Sequence, residues 1–533
     1  MKLRALLQDL SYHLNTLRGE RIPDGETREA LLDTEITVIT DKSGKVVPES
    51  LFFCIKGAVS DGHAFAGKVL ESGAGALVVE KDLDLSSFAP VSAAPAIVRV
   101  ESTRHAMAVI SAAFYGNPAG EMKLIGITGT KGKTTTAYMI RSILEAAGIR
   151  TGLVGTIETL YRAPGGEVRI PSANTTPESI VLQRTFREMA DSGVQAVVME
   201  VSSQALMLER TGGFVFDIGI FTNLSPDHIS PIEHKSFEEY LYYKSLLFRQ
   251  CRVGIFNGDD PHLEKILEGH TCTVETYGLG EGCGLRAEKI GLVHTPGELG
   301  VTFDVVTGSE SVHDGGRQAV LHAHVPAPGR FSVYNALCAV AVCRHFDVPE
   351  EAIRDALRQV SVRGRIEMVR VSDAFTLLID YAHNAMALDS LLRTLREYDP
   401  ARLVCVFGCG GNRARSRRFE MGKVSGELAD LTIITSDNPR DEEPMEIIAD
   451  IITGITPTGG SHVAIPDRRE AIRYAIEHGQ PGDIIVLAGK GHEDYQEIRG
   501  RKYPMDERVL IREVLEELRG RGDGPAFCRE DTV

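Results

Sequence analysis

The sequence predicts an α/β chain in three successive segments, residues 1–102, 103–360 and 361–533. Three observations carry that prediction. An apolar run, Leu124-Ile125-Gly126-Ile127, passes through Gly129-Thr130-Lys131-Gly132-Lys133-Thr134-Thr135 into a helical pattern marked by Tyr138, Ile140 and Leu144. Further apolar runs alternate with helical patterns, and each ends in a polar, glycine-bearing or proline-bearing sequence. Such runs describe open parallel sheets, whose ligands sit beyond the carboxyl ends of the strands. Gly116-Asn117-Pro118-Ala119-Gly120 makes a break before the P-loop strand, and Gly364-Arg365 marks the start of the third α/β segment.

In the first segment, residues 51–55, 76–79 and 96–100 read as strands and 64–71 as a helix. Ser102 or Thr103 would cap a helix running to Tyr115. In the second, residues 195–200 form a buried strand ending in Glu200, and 216–222 another ending at Asn223-Leu224-Ser225-Pro226-Asp227-His228. Residues 236–249 and 332–345 read as helices, and 283–324 as irregular β-structure. The third segment carries strand-like runs at 375–380, 403–407, 431–435 and 483–488, and the tail from Arg519 is expected to fray.

Composition removes several classes of function. A formal charge of −16 opposes nucleic-acid binding, which needs a basic surface to neutralise phosphates. No apolar run reaches the length of a membrane span, and Met1-Lys2-Leu3-Arg4 does not open a signal peptide. The nine cysteines are scattered and none forms a Cys-x-x-Cys pair, which fits a reducing, cytoplasmic setting.

The glycine turn is the strongest chemical signal. Glycines let backbone N–H groups converge on an anion, and the helix that follows presents its positive end. Gly129 and Gly132 stand closer together than in the general P-loop spacing. Lys133 would reach the terminal phosphates of ATP and the Thr134 hydroxyl would serve Mg²⁺. Glu200 ends an apolar strand, where many P-loop proteins place a carboxylate near the metal; the plain alternative is a solvated turn residue. His228 follows the next strand in the same way and would be a second metal contact or a structural histidine. Lys244 falls on one helical face with Phe237, Leu241 and Phe248. Its ammonium either snorkels to water or faces the metal site, there carrying a carbamate. In the third segment Asp437-Asn438-Pro439-Arg440, Gly410-Gly411-Asn412-Arg413 and Gly489-Lys490-Gly491-His492-Glu493 lie at strand ends. Guanidinium groups can grip carboxylates bidentately, so together these stretches describe a pocket for an amino-acid zwitterion.

These motifs, with Asn174-Thr175-Thr176-Pro177, Glu200-Val201-Ser202-Ser203, Gly364-Arg365 and Asp380-Tyr381-Ala382-His383, occur in an order that resembles the Mur ligases over nearly the whole chain. The resemblance is to the type that adds diaminopimelate to UDP-N-acetylmuramoyl-L-alanyl-D-glutamate in peptidoglycan precursor synthesis. It implies an N-terminal UDP-binding domain, a central ATP-binding P-loop domain and a C-terminal Rossmann-like domain that binds the amino acid. It also implies an acyl-phosphate intermediate, with ATP and Mg²⁺ required, small-molecule substrates only, and a monomer.

By position, the resemblance implies that Lys133, Glu200, His228 and a carbamylated Lys244 are catalytic. It gives the metals to Thr134, Glu200, His228 and Lys244. ATP would meet Gly129, Thr130, Lys131, Gly132, Lys133, Thr134, Thr135, Asn335, Arg365, Asp380 and His383. Ser43, Asn174, Thr175, Thr176, Ser202 and Arg210 would hold the UDP-linked dipeptide. Arg413, Asp437, Asn438, Pro439, Arg440, Gly489 and Glu493 would select diaminopimelate. Several positions depart from the family pattern. Lys42-Ser43-Gly44 keeps only the serine of the usual uridine motif, Ala385 replaces a proline, and Arg415-Ser416-Arg417-Arg418 is unusual. They leave open a related ligase that uses L-lysine or another amino acid, or a different acyl partner.

Overall fold

The computed structural model describes residues 1–57, 60–91, 95–227, 229–230, 233–295, 298–307 and 321–521. They fall into two compact units, Met1–Cys283 with Cys338–Val348 and Gly284–Leu337 with Pro349–Val533.

The first unit opens with a five-stranded sheet in the order His13–Asn15, Ala96–Arg99, Ala76–Val79, Ser50–Phe53, Val38–Thr40. Only the first pair is antiparallel. Leu51, Phe52, Phe53, Leu77 and Val78 are all buried, and such unbroken apolar runs are typical of parallel strands covered on both faces. Ser102 caps the helix Thr103–Phe114 by accepting from the His105 N–H.

The second sheet of this unit has the P-loop strand, Lys123–Thr128, between Phe216–Phe221 and Ala196–Glu200. All three run parallel, with Glu200 opposite Ile127 and Phe221 opposite Thr128. That register brings the ends of three strands to one edge, so the residues after Thr128, Glu200 and Phe221 meet there. Cys251–Asn257 and Thr273–Gly278 extend the parallel order on one side. Thr151–Val154 and the hairpin Glu158–Ala163 and Gly166–Pro171 extend the other side.

In the second unit the described residues of 283–324, expected as irregular β-structure, are β-strands with one irregularity. Leu285–Thr295, Glu298–Thr307 and Leu321–Val325 pair antiparallel in succession. Their alternation is hidden in the sequence by a bulge between Glu288 and Gly291, where Lys289 takes a φ of 50°. A six-stranded sheet follows in the order Glu367–Val369, Thr376–Asp380, Ile484–Ala488, Leu403–Phe407, Leu431–Ile434, His462–Ala464, parallel except at its first pair. The chain moves outward through three strands and returns to insert Ile484–Ala488 beside Thr376–Asp380. Such a reversal opens a crevice at the strand ends.

A hairpin absent from the sequence reading, Tyr495–Ile498 with Arg501–Pro504, follows the last of these strands. Its turn residues Arg499 and Gly500 both have positive φ, 48° and 72°. The eight described cysteines are free and buried, and Cys528 lies outside the described residues. Among the described residues no helix is long and apolar enough to cross a membrane.

Candidate active site

The glycine turn is laced to the neighbouring strand end. The N–H of Thr130 donates to the Asn223 carbonyl at 2.8 Å, the Lys131 N–H to the Asn223 side chain at 3.0 Å, and the Thr222 hydroxyl to the Lys131 carbonyl at 2.7 Å. Gly129 has a φ of 140°, and a Cβ there would stand 2.0 Å from the Thr222 hydroxyl, so only glycine allows this approach. Lys133 opens the helix Lys133–Ala146 and its ammonium donates back to the carbonyls of Gly129 at 2.9 Å and Thr130 at 3.1 Å. The Lys131 side chain is exposed, and Thr135 is half-buried one position after Thr134.

Glu200 is buried and fully engaged. The Thr134 hydroxyl donates to both its oxygens at 3.0 Å, the Thr156 N–H to one at 2.9 Å and the Thr156 hydroxyl to the other at 3.0 Å. A Cβ on Gly155 would lie 2.4 Å from Glu200 Oε1, so that glycine makes room for the carboxylate. Thr134 and Glu200 thus present adjacent hard oxygens, the donor type Mg²⁺ takes. His228 lies outside the described residues, and among those described no three His, Cys, Asp or Glu side chains cluster as a metal site.

Lys244 sits in the last turn of Phe237–Ser245, only 2% exposed. Its Nζ donates to the Gly129 carbonyl at 2.8 Å and stands 4.5 Å from the centre of the Tyr240 ring. The Tyr240 hydroxyl in turn shares a hydrogen bond of 3.1 Å with Thr130. Two lysine amines therefore converge on one carbonyl, that of Gly129. Burial first, then the charge of Lys133, pull the Lys244 pKa well below the ordinary lysine range, with Asp227 opposing. Lys244 does not snorkel to water. It is held inside, where burial disfavours its charged form.

The residues expected to meet the UDP-linked dipeptide divide. Thr175 and Thr156 share a hydrogen bond of 3.1 Å, and the Thr176 hydroxyl donates to the Glu200 carbonyl at 2.9 Å, so both adjoin Glu200 and its partner Thr156. The Ser202 hydroxyl caps the short helix Ser203–Met207 by accepting from the Ala205 N–H. Arg210 is buried, paired with Glu178 at 2.6 Å and donating to the Thr176 carbonyl at 3.0 Å. Asn174 is exposed, and Ser43 begins a 3₁₀ turn that connects Val38–Thr40 to Ser50–Phe53 in the first sheet's segment.

In the second unit the strand ends gather the remaining residues. Asp380 accepts from the N–H groups of Ile366 and Ala382. Burial raises its pKa against the pull of Arg365. Arg365 lies 4.9 Å from the Tyr381 ring centre, and Tyr381 packs against His383 and His492 at 4.6 and 4.7 Å. Asn335 is buried in the helix Arg330–Arg344.

Arg440 is backed by the unforeseen hairpin. Its N–H donates to the Glu497 carbonyl, its own carbonyl accepts from Arg499, and its φ is 52°. Its guanidinium donates to Glu497 at 2.9 Å and to the Gly411 carbonyl at 2.7 Å. Its Nη2 has no acceptor among the described residues, and Arg440 lines an open cleft of about 670 Å³ with Ser436, Pro439 and Gln496. Arg413 is exposed on the adjoining loop. A Cβ on Gly411 would stand 1.9 Å from the Pro439 carbonyl, so the two loops touch through backbone. The Glu493 carboxylate accepts from Asn438 at 3.0 Å and Lys490 at 2.7 Å, and Gly489 approaches Asp437.

Three family profiles match successive parts of the chain. The Mur ligase catalytic domain matches residues 35–115, the Mur ligase middle domain 127–343 and the Mur ligase glutamate ligase domain 364–491. A protein of Clostridium botulinum named UDP-N-acetylmuramoyl-L-alanyl-D-glutamate–2,6-diaminopimelate ligase is 41% identical over 91% of this chain and 96% of its own length. The chain belongs to the Mur ligase family. A protein of the same name from Caldanaerobacter subterraneus is 42% identical over 91% of the chain and 96% of its own. A solved structure bearing that name covers 93% of this Mur ligase and 97% of itself, with 27% identity and a TM-score of 0.66. MurF from Acinetobacter baumannii shares the fold at 18% identity and a TM-score of 0.57, covering 97% of this chain and 98% of its own. The expected three-domain α/β architecture is the architecture of the family.

The sequence reading of this Mur ligase missed the side chains that hold the candidate residues in place. The Arg415-Ser416-Arg417-Arg418 departure is one of them. Arg415 and Arg418 both grip Asp450, and Arg418 also holds Glu442, whose carboxylate accepts from the Asn412 N–H at 2.6 Å. The cluster fixes the loop that carries Arg413. Lys490 is another, and its fully buried ammonium was visible in the sequence only as part of a glycine-rich stretch.

Proposed function

We propose that this Mur ligase uses ATP to join meso-diaminopimelate to UDP-N-acetylmuramoyl-L-alanyl-D-glutamate. The observation that carries the reading is the phosphate loop of the first unit, with Glu200 and Thr134 hydrogen-bonded beside it; the second unit carries an arginine-bearing strand-end loop suited to carboxylates. The names borne by relatives about 40% identical over most of the chain support the same substrates.

In this reading the loop N–H groups and Lys133 hold the terminal phosphates. A carboxylate oxygen of the D-glutamyl residue attacks the γ-phosphorus, ADP departs, and an acyl phosphate forms. The ammonium of the incoming amino acid gives up one proton to solvent and attacks the acyl carbon as the free amine; inorganic phosphate leaves with the electron pair of the broken C–O bond, and the new amide nitrogen loses a second proton to solvent. A carboxylate is a poor acyl donor until its oxygen is a good leaving group, which is why ATP is needed.

We assign Mg²⁺ to Thr134 and Glu200, with His228 as a further ligand. Bound there it would neutralise the crowded phosphate oxygens. Burial lowers the Lys244 pKa and so favours the neutral amine, the form that reacts with carbon dioxide to give a carbamate. That product would replace an amine beside Lys133 by a carboxylate-like group. Arg440, with Nη2 open, takes the second carboxylate of diaminopimelate, which lysine lacks, and Arg413 adjoins it. The free state of the described cysteines supports a cytoplasmic setting. The test is product identification by mass spectrometry after incubation with ATP, Mg²⁺, the UDP-linked dipeptide and meso-diaminopimelate. The expected product is their amide, formed only with ATP, and its absence overturns the reading.

A further inference from the structure

Lys490 is the most completely enclosed charge near the candidate amino-acid site, with no solvent exposure. Its three N–H donors are spent on the Asn438 side-chain oxygen at 3.0 Å, Glu493 Oε2 at 2.7 Å and the Tyr495 carbonyl at 2.5 Å. Asp437 Oδ1, which has no hydrogen-bond partner among the described residues, lies 3.6 Å away. The Tyr495 ring centre is 5.1 Å from Nζ. An ammonium so saturated has nothing left to offer a substrate, yet it touches Asn438 and Glu493, both expected to meet the amino acid.

Its effect on Asn438 is directional. The Asn438 oxygen accepts from Lys490 and from the Glu497 N–H at 2.9 Å, so the amide nitrogen must face the other way, where it donates to Glu493 Oε2 at 3.0 Å. Oε2 is thereby filled by two donors, and Oε1 takes no hydrogen bond among the described residues. Burial would raise the Glu493 pKa, but the charge and hydrogen bond of Lys490, with the Asn438 amide, outweigh it and hold the carboxyl below its ordinary range.

We propose that Lys490 is the positioning residue of the amino-acid site, orienting Asn438 and Glu493 so that one oxygen of an ionised Glu493 is left for the ammonium of the incoming amino acid. The inference rests on the reading of this strand-end region as the amino-acid site. Without Lys490 the Asn438 amide keeps only the Glu497 N–H and Glu493 to orient it, and Asp437 and Glu493 lose the ammonium that stands between them.

The test compares wild type, Lys490→Met, Glu493→Gln and the double variant. In Lys490→Met the KM for meso-diaminopimelate should rise about tenfold to a hundredfold, the loss expected for hydrogen bonds to a charged group. The KM for ATP should stay unchanged. The acid limb of kcat/KM for the amino acid should move to higher pH, because Glu493 loses its counter-charge. Equal losses for ATP and amino acid, or an unmoved acid limb, would overturn the proposal.

Urea unfolding without substrates gives a readout independent of turnover. The double variant should lose less stability than the two single variants together, and additive losses would overturn the proposal. Should Lys490→Met alone fail to fold, recovery of folding in the double variant supports the coupling. Failure of both makes Lys490 merely structural and overturns it. A wild-type protein inactive with meso-diaminopimelate would refute the amino-acid assignment instead, and the unfolding comparison would still decide whether Lys490 and Glu493 act as a pair.

Discussion

Replacing Lys244 by Met separates chemistry from stability at the phosphate loop. Methionine fills nearly the same volume, so the pocket over Tyr240 stays packed. The substitution removes one buried hydrogen bond to the Gly129 carbonyl, with a net value of about 1 kcal/mol. It also removes a polar group that burial disfavours and that crowds Lys133 at the same carbonyl. The two effects oppose, and unfolding stability should change by no more than about 1 kcal/mol.

Turnover should behave differently. If Lys244 supplies a preorganised group beside the reacting phosphates, its loss should cost about a hundredfold to a thousandfold in kcat, or about 2.7–4 kcal/mol. Phosphate release under saturating substrates measures this, with urea unfolding of the same samples as the control. Intact mass of the wild type in bicarbonate buffer should carry an added carbon dioxide that the variant lacks. A variant that folds normally and turns over within about threefold of wild type would refute the reasoning.

Other perturbations address the neighbouring groups. Gly155→Ala places a methyl carbon 2.4 Å from Glu200 Oε1, so the carboxylate must shift against the donors that hold it, and kcat should fall at least about tenfold with a stability loss of about 1–3 kcal/mol. Arg440→Ala should raise the KM for diaminopimelate by about ten- to a hundredfold and narrow its advantage over L-lysine, measured as the ratio of kcat/KM values. An unchanged ratio would contradict the role given to Nη2. Burial, then the charge of Arg365, lower the His492 pKa from 6.5 to about 4. The unfolded chain therefore takes up a proton below about pH 6.5 that the native site refuses until about pH 4. Stability contributed by this site should fall as pH drops through that window, by at most roughly 2 kcal/mol between pH 7 and 5. In His492→Gln that part of the decline should vanish from urea titrations at the two pH values.

Much of this molecule was legible from the order of its residues. The P-loop strand and Ala196–Glu200 are continuous apolar runs, and buried parallel strands need little else to be recognised. Lys244 stood out because a lone cation on an apolar helical face has few explanations, and its buried position agrees with that periodicity. What escaped notice lacks a local signal. The hairpin behind Arg440 turns on Arg499 and Gly500, and arginine is not a residue that announces a left-handed turn. Its strands are half-buried or exposed, so no apolar alternation marks them. The meander over 285–325 is broken by a bulge, which shifts the period of two that would have revealed it. The Lys490 contact with Asn438 and the Arg415, Arg418 and Asp450 cluster join residues some 30 to 50 apart in sequence, and no short window spans them.

The central claim is tested most directly by phosphate release from the full chain with ATP, Mg²⁺ and UDP-N-acetylmuramoyl-L-alanyl-D-glutamate. Parallel reactions would contain meso-diaminopimelate, L-lysine, L-ornithine or no amino acid. Release that requires both the UDP-linked dipeptide and meso-diaminopimelate, and is weak with the two monocarboxylic diamines, is the predicted result. Release with L-lysine equal to that with meso-diaminopimelate, or no release with any of them while ATP still binds, would contradict it.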